Sequence, residues 1–208
     1  MDTNSTVTAN STDVSVITIW KEVKPIFRVG VIISLLFPLV GWSAGTTFPS
    51  KQSCISPDLK WVVRCQSEEQ KDGGGLHRLY LSRFAAKDEE FVYASGRYCE
   101  VLWSNGGERF AITDWLGSNL SDIYIVEVSP TIVWRFEIPD LPKFLLKAEI
   151  EGHIYTEAMK WEKPNRLLVR VFGHTDEENG HGFTYYFSVD INSREAVLMR
   201  KTNEEGTD

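Results

Sequence analysis

The sequence predicts an all-β domain built from repeated antiparallel four-stranded sheets, preceded by one N-terminal hydrophobic segment. From Cys54 onward, short runs rich in Val, Ile, Trp, Tyr and Phe alternate with turn residues, and helical periodicity gives way to strand patterns. A hairpin motif inside residues 103–138 recurs in weaker form before and after that stretch. A chain of 208 residues with 42% hydrophobic residues can bury a substantial core. These observations predict one folded β domain.

Residues 1–22 are rich in Thr, Ser and Asn and offer little material for a core, so we expect this prefix to be disordered. Val29–Trp42 is uncharged and almost wholly apolar, follows Lys24 and Arg28, and precedes small residues. This layout is typical of a secretory signal peptide over residues 23–45, with cleavage after Gly45. We hypothesise that translation begins at Val23 and that residues 1–22 are not translated.

Export to the periplasm or the extracellular space follows from that interpretation. The alternative is a single-pass membrane anchor, because no charge occurs between Arg28 and Lys51. Residues 29–45 would then be retained and would contact the membrane. The dense apolar part is short and contains Pro38 and Gly41, which favours the signal peptide.

Strand patterns continue through the domain that we assign to residues 46–201. The predicted strands are Lys60–Gln66, Leu76–Arg83, Glu90–Ala94, Cys99–Trp103, Glu108–Trp115, Asp122–Val128, Ile132–Ile138, Tyr155–Trp161, Arg166–Phe172, Phe183–Val189 and Ala196–Lys201. Ile132–Ile138 alternates apolar and polar residues, as expected for a strand at a sheet edge. Residues 139–151 interrupt the pattern and predict a short helix starting at Pro142. Residues 202–208 are expected to be a flexible tail.

The hairpin repeat has three copies. The first copy is Ser56-Pro57-Asp58-Leu59-Lys60-Trp61-Val62-Val63, and it aligns with the second copy, which starts at Ser104-Asn105-Gly106-Gly107-Glu108-Arg109. The third copy fits with one deletion and reads Trp161-Glu162-Lys163-Pro164-Asn165-Arg166-Leu167-Leu168-Val169. A period of about 50 residues with four strands per copy is typical of propeller blades. We expect a Trp at the hairpin entrance to pack between sheets.

These hairpins resemble the blades of TolB-like and WD-type β-propellers. Ser56-Pro57-Asp58 and Lys60 match the blade pattern, whereas Leu59 stands where that pattern has glycine. The resemblance implies an open, partial propeller of about three blades, or a stack of curved sheets. Propellers usually close with about four to eight blades, so three blades leave open edges, one of them at Ala196–Lys201.

Composition and cysteine spacing limit the possible partners. The net charge of −7 argues against a nucleic-acid partner, because Lys and Arg drive phosphate binding. Cys54, Cys65 and Cys99 are too few and too widely spaced for a zinc framework. A Cys54–Cys65 disulfide is conceivable in an exported hairpin, but the register places Cys54 opposite Val63, so three buried free cysteines are the favoured expectation.

Candidate chemistry is sparse. The loop of residues 173–182 places His174, Asp176 and His181 close together, and these side chain types bind divalent metals. The favoured explanation is a solvated hairpin tip, so we assign no metal and no cofactor. A second group of polar residues flanks the hairpin of residues 114–122 and is equally explained by turn chemistry. Its members are Asp114, Ser118, Asn119, Ser121 and Asp122.

No catalytic motif occurs, so we assign no catalytic residue and lean against an enzyme. The expected function is an exported, non-catalytic binding or assembly module. Its partner is expected to be a protein, including a second copy that pairs through exposed sheet edges. Two alternatives stay open: a divergent hydrolase that uses carboxylates at the loop ends, and a diverged fragment of a larger propeller.

Overall fold

The computed structural model describes residues 45–70, 74–129, 133–138, 141–176 and 181–204. The predicted prefix 1–22 and the predicted signal or anchor segment, except Gly45, lie outside these residues. Within the described ranges, no helix combines the length and the apolar character needed to cross a membrane. Trp42–Asp208 forms one compact unit, which contains both hydrophobic cores. That unit therefore has the core that independent folding requires.

The described residues form thirteen strands and one short α-helix. In chain order the strands are β1 (Thr46–Phe48), β2 (Ser53–Ile55), β3 (Trp61–Glu69), β4 (Gly75–Arg83), β5 (Glu90–Ser95), β6 (Cys99–Trp103), β7 (Arg109–Asp114), β8 (Asp122–Val128), β9 (Val133–Glu137), β10 (His153–Lys163), β11 (Arg166–His174), β12 (Gly182–Asp190) and β13 (Glu195–Glu204). A 3-10 turn, Pro142–Phe144, and helix α1, Lys147–Glu151, lie between β9 and β10.

These strands form three antiparallel sheets. The N-terminal sheet has the order β2-β3-β4-β5, the central sheet β1-β6-β7-β8-β9 and the C-terminal sheet β10-β11-β12-β13. Each contains four strands in simple succession, and β1 joins the central sheet as a fifth strand beside β6. The all-β prediction and the predicted repetition of four-stranded sheets are confirmed. Strand β9 lies at a sheet edge, as its alternation predicted.

The central sheet packs against the other two sheets. Successive side chains of a strand point to opposite faces, so β6, β7 and β8 supply alternate residues to two separate cores. One core joins the central sheet to the C-terminal sheet and includes Leu102, Ala111, Ile123, Ile125, Val169 and Phe187. The other joins it to the N-terminal sheet and includes Val63, Leu79, Val101, Trp103, Phe110 and Ile112. Both faces of the central sheet are therefore apolar.

The first two copies of the repeat form the same turn. Ser56 and Ser104 each accept a hydrogen bond on Oγ, from the backbone N–H of Trp61 at 2.9 Å and of Arg109 at 3.1 Å. Three residues after each serine the backbone is left-handed, with φ of 60° at Leu59 and 76° at Gly107. Leu59 therefore takes the conformation that glycine adopts most easily.

All three copies share one further backbone contact. In each sheet, the residue just before the second strand of the hairpin accepts a hydrogen bond on its backbone carbonyl. The donor is a backbone N–H at the end of the following strand, or just after it. The three pairs are Phe84 to Lys60 at 2.7 Å, Val128 to Glu108 at 2.8 Å and Ile191 to Asn165 at 2.8 Å. The equivalent bond in the third copy supports its alignment despite its low sequence similarity.

Tryptophan at the end of the first hairpin strand connects neighbouring sheets. The Nε1–H of Trp103 donates to Cys54 Sγ at 3.0 Å, and that of Trp161 donates to the Leu102 carbonyl at 3.0 Å. Trp61 lies in the N-terminal sheet, but it begins that sheet's second strand, β3. The position equivalent to Trp103 is Ile55, which is 45% exposed at the outside of the N-terminal sheet.

Two details differ from the sequence predictions, and one further expectation is confirmed. Strand β13 continues to Glu204, past the predicted end at Lys201. The connector is a 3-10 turn followed by α1, so the helix begins at Lys147 and not at Pro142. The favoured expectation of three buried free cysteines is confirmed, and Cys54 pairs with Val63 as the hairpin register predicted.

Candidate functional site

The main candidate site is a pocket between the central and C-terminal sheets. Its volume is about 370 Å³. The start of β8 and the end of β9 lie at its edge, and the connector between β9 and β10 forms one wall. The lining residues are Leu120, Ser121, Asp122, Ile123, Glu137, Ile138, Leu141, Leu145, Ile154, Thr156 and Val171. Most of these residues are aliphatic. The side chains of Asp122 and Glu137 share a face of the central sheet with Asp114 and Tyr124, and that face is turned toward the N-terminal sheet.

A reciprocal set of hydrogen bonds fixes one side of the pocket. Ser121 Oγ donates to the Thr156 carbonyl at 2.8 Å and accepts from the Thr156 N–H at 2.7 Å. Thr156 Oγ1 donates to the Ser121 carbonyl at 2.7 Å. Leu120 and Ile154 form a parallel bridge next to these bonds. The start of β8 is therefore held rigidly against β10, and Asp122 has a fixed position.

The two acidic residues beside the pocket come from neighbouring strands. Glu137 pairs with Tyr124 in the β8–β9 ladder, which places it diagonally opposite Asp122. Burial raises the pKa of Asp122, and the neighbouring negative charges of Glu137 and Asp114 raise it further. Within the described part of the chain, neither Asp122 nor Glu137 forms an ion pair with a Lys, Arg or His side chain. The carboxylates of Asp114, Asp122 and Glu137 therefore lie on one face of the central sheet, the face turned toward the N-terminal sheet.

A second, more open groove of about 580 Å³ lies between two hairpin turns. The turn of the N-terminal sheet contributes Leu59 and Trp61, and the turn of the central sheet contributes Gly107. The Arg83 guanidinium lies 5.7 Å from the centre of the Trp61 ring. Leu59 and Phe84 are 67% and 54% exposed. This groove is a shallow apolar surface with charges of both signs around it.

The predicted metal residues are only partly brought together. His174 stacks on His153, with ring centres 4.4 Å apart, because the β10–β11 register pairs these residues. Asp176 Oδ1 lies 3.8 Å from His153 Nε2 and 4.0 Å from His174 Nδ1. The backbone N–H of His181 donates to Thr175 Oγ1. Across the described ranges, no group of three His, Cys, Asp or Glu side chains has a geometry that could hold a metal.

The polar residues around the 114–122 hairpin do not converge on one ligand. Asp114 turns toward the N-terminal sheet and accepts hydrogen bonds from Tyr93 Oη and Ser95 Oγ, both at 2.6 Å. The Ser118 carbonyl accepts from Tyr155 Oη, and the Asn119 carbonyl accepts from the Ile154 N–H at 3.1 Å. Of these five residues, Ser121 and Asp122 border the pocket, and the Asp122 side chain lies on the same face of the sheet as Asp114. Asp114 is 2% exposed, so its role is to connect two sheets.

Sequence reasoning missed Glu137 and the connector leucines as pocket residues. Glu137 occupied a polar position of an alternating strand, which is typical of a side chain in solvent. Its partner Asp122 belongs to the preceding strand, and only the β8–β9 register brings the two together. His153 was missed for the same reason, since it lies far from His174 in the sequence.

Comparisons with protein-family models, with curated proteins and with solved structures give no match for this chain. The proposals that follow therefore rest on the geometry of the described residues.

Proposed function

We propose that this chain is an exported, non-catalytic assembly module built as an open propeller of three blades, and that strand β13 is the edge where a second copy docks. The observation that carries the proposal is the exposure of three consecutive apolar side chains on this last strand of the C-terminal sheet. Val197, Leu198 and Met199 are 59%, 41% and 61% exposed. Exposed apolar edge strands are sites of strand pairing.

The blade interpretation is supported by the repeated contacts. The same backbone hydrogen bond occurs in all three sheets, and two tryptophans reach from one sheet to the sheet before it. Equivalent contacts at equivalent repeat positions are expected when each sheet packs on its neighbour in the same way.

Charged side chains on the outer faces of the N-terminal and C-terminal sheets support the interpretation as three blades. On the N-terminal sheet, Arg64 donates to Ser82 and pairs with Glu89 at 2.7 Å. On the C-terminal sheet, Arg170 pairs with Glu157 on the face opposite the core. A further blade would bury these ions at a high cost in desolvation. The fragment alternative therefore requires a partner that compensates these charges.

A second copy suits β13 because the strand is complementary to itself. The β12–β13 pairing places Glu195, Val197 and Arg200 on one face of the sheet. In an antiparallel pair centred on the apolar residues, Glu195 of one copy lies near Arg200 of the other, and the apolar side chains meet at the two-fold axis. The bulge at Met199 interrupts the regular ladder, which restricts pairing to a defined register.

Light scattering after size exclusion tests the proposal on Trp42–Asp208. The expected result is a dimer that dissociates on dilution. Met199→Lys should yield a folded monomer, because charge repulsion would oppose pairing at the axis. Ile55→Lys is the matched control: Ile55 is a similarly exposed apolar residue on the short strand β2, and the variant should stay dimeric. A monomeric parent at the highest soluble concentration would contradict the proposal.

Export is tested separately by sequencing the N-terminus of the protein recovered from the periplasm or the medium. Cleavage after Gly45 is the expected result, and recovery of residues 29–45 in the membrane fraction would support the anchor.

The hydrolase alternative has one observation in its favour, the neighbouring carboxylates of Asp122 and Glu137 at the edge of the central sheet. Hydrolysis by direct attack of water, without a nucleophile from the protein, needs one side chain that acts as a general acid and one that acts as a general base. Hydrolysis of nitrophenyl esters or glycosides that is lost in both Asp122→Asn and Glu137→Gln would support this second candidate.

A further inference from the structure

Glu100 on β6 is a half-buried acid without a cation. It lies on the face of the central sheet that is turned toward the C-terminal sheet, because Leu102, two residues later, belongs to the core between those sheets. Within the described ranges, Glu100 forms no ion pair with a Lys, Arg or His side chain. Burial raises the pKa of Glu100, and the negative charge of Glu157 on β10 raises it further. A positive group beside Glu100 would therefore be favourable.

Strand β1 brings the backbone of residues 45 and 46 to this carboxylate. β1 pairs with β6, with Thr46 opposite Val101 and Thr47 opposite Glu100. The Glu100 carboxylate lies against Gly45 and occupies the space where a side chain at position 45 would begin. Glycine leaves that space open because it has no Cβ. The Thr46 nitrogen is two covalent bonds from the Gly45 Cα, so it lies within about 5 Å of the carboxylate.

The position of Thr46 does not depend on the residues before it. The Thr46 hydroxyl contacts the Cys54 thiol on the other face of the sheet. Phe48 is fully buried and pairs with Cys99. These contacts all lie on the C-terminal side of the Gly45–Thr46 peptide bond, so they persist when that bond is cut. A chain that begins at Thr46 therefore keeps its first nitrogen beside Glu100.

We propose that cleavage after Gly45 places the new α-ammonium group of Thr46 beside the Glu100 carboxylate, and that this ion pair stabilises β1 on the central sheet of the mature chain. The inference rests on the export proposed above, because removal of the signal peptide supplies the chain end. Water hydrolyses the Gly45–Thr46 peptide bond, which leaves a carboxylate on Gly45 and an amine on Thr46. The carboxylate departs with the signal peptide, and the amine is protonated at neutral pH.

The precursor and the mature chain therefore differ in the environment of one charge. Before cleavage the Thr46 nitrogen is a neutral amide, and the ionised Glu100 destabilises the fold at neutral pH because its pKa is raised. After cleavage the same carboxylate has a cationic partner. Glu100→Gln should therefore change stability with opposite sign in the two forms.

A double-mutant cycle measures the coupling between the ammonium and Glu100. Residues 46–208 contain every described strand and both cores, and they can be released from a fusion protein with a free α-amine. Acetylation of that amine should lower the melting temperature by about 2–4 °C, the shift expected for the loss of one partly buried ion pair in a chain of this size. In Glu100→Gln, acetylation should have no effect. No effect in the parent chain, or an equal effect in both, would overturn the proposal.

The uncleaved form supplies the second comparison, at the same protein concentration. In Trp42–Asp208, Glu100→Gln should melt at the same or a higher temperature than its parent, whereas in residues 46–208 it should melt at a lower temperature. Glu69→Gln is the matched control, because Glu69 is an exposed glutamate of β3 and its substitution should leave both forms unchanged. An equal loss in both forms of Glu100→Gln would indicate a structural role and would contradict the proposal.

Failure of the ion pair and failure of the export proposal are distinguishable. A mature N-terminus other than Thr46 would contradict cleavage after Gly45. Absent coupling between the α-amine and Glu100 would contradict the ion pair, and it would leave the cleavage and dimer measurements unaffected.

Discussion

The buried carboxylate of Asp114 connects the central and N-terminal sheets. It accepts hydrogen bonds from Tyr93 Oη and Ser95 Oγ, both at 2.6 Å, and all three residues are at least 95% buried. A hydrogen bond to a charged group contributes about 1.5–3 kcal/mol. Asp114→Asn keeps the shape but replaces one acceptor with an amide donor, so one of the two donors loses its partner. We expect the free energy of unfolding to fall by about 3 kcal/mol.

Urea unfolding of Trp42–Asp208, followed by tryptophan fluorescence, measures this loss. Tyr93→Phe removes one donor and should cost about 1.5–3 kcal/mol. Because both variants affect the same hydrogen bond, the double variant should cost less than the sum. Tyr80→Phe is the matched control, since Tyr80 packs edge-on against Phe91 on the outer face of the same sheet. A cost below about 1 kcal/mol for Asp114→Asn, or strict additivity with Tyr93→Phe, would refute the reasoning.

Two further predictions concern the turns and alkaline pH. Leu59→Gly should raise the free energy of unfolding by about 0.5–1 kcal/mol. Leu59 is 67% exposed and its left-handed backbone costs roughly 1–2 kcal/mol, but glycine gives back part of this gain in chain entropy. Gly107→Ala should lower the free energy of unfolding, and the reverse order of melting temperatures would contradict this. Burial raises the pKa of Cys99 to about 12, and burial with the Asp114 hydrogen bond raises that of Tyr93. As the pH rises, the unfolded chain releases these protons before the folded chain does. The contribution to stability is therefore full below about pH 9 and falls as the pH rises toward 12. A urea midpoint that stays constant from pH 7 to above pH 10 would disprove this prediction.

The sequence predicted the strand order well because strand signals are local. Apolar alternation and turn residues located each predicted strand to within a few residues, and the Cys54–Val63 register followed from the length of one hairpin turn. The serine turn repeated in the structure wherever Ser56 and Ser104 repeated in the sequence. These features depend on residues that are close together in the chain.

The contacts between sheets could not be predicted in this way. Trp61 looked like a repeat tryptophan, but Ile55 occupies the position that Trp103 and Trp161 occupy in the other sheets. The pocket depends on where the connector leucines come to lie against β10, and no local pattern encodes that packing. The proximity of Glu137 to Asp122 likewise depends on the β8–β9 register, which pairs Glu137 with Tyr124, and the sequence showed only two separate acids.

Hydrogen exchange of the backbone amides of β13 tests the proposed assembly most directly. Outward N–H groups of an edge strand exchange quickly in a monomer, whereas strand pairing protects them. The account predicts that outward amides of Val197–Met199 become protected as protein concentration rises, and that the amides of β2 do not change. Fast exchange of these β13 amides at every concentration would contradict it.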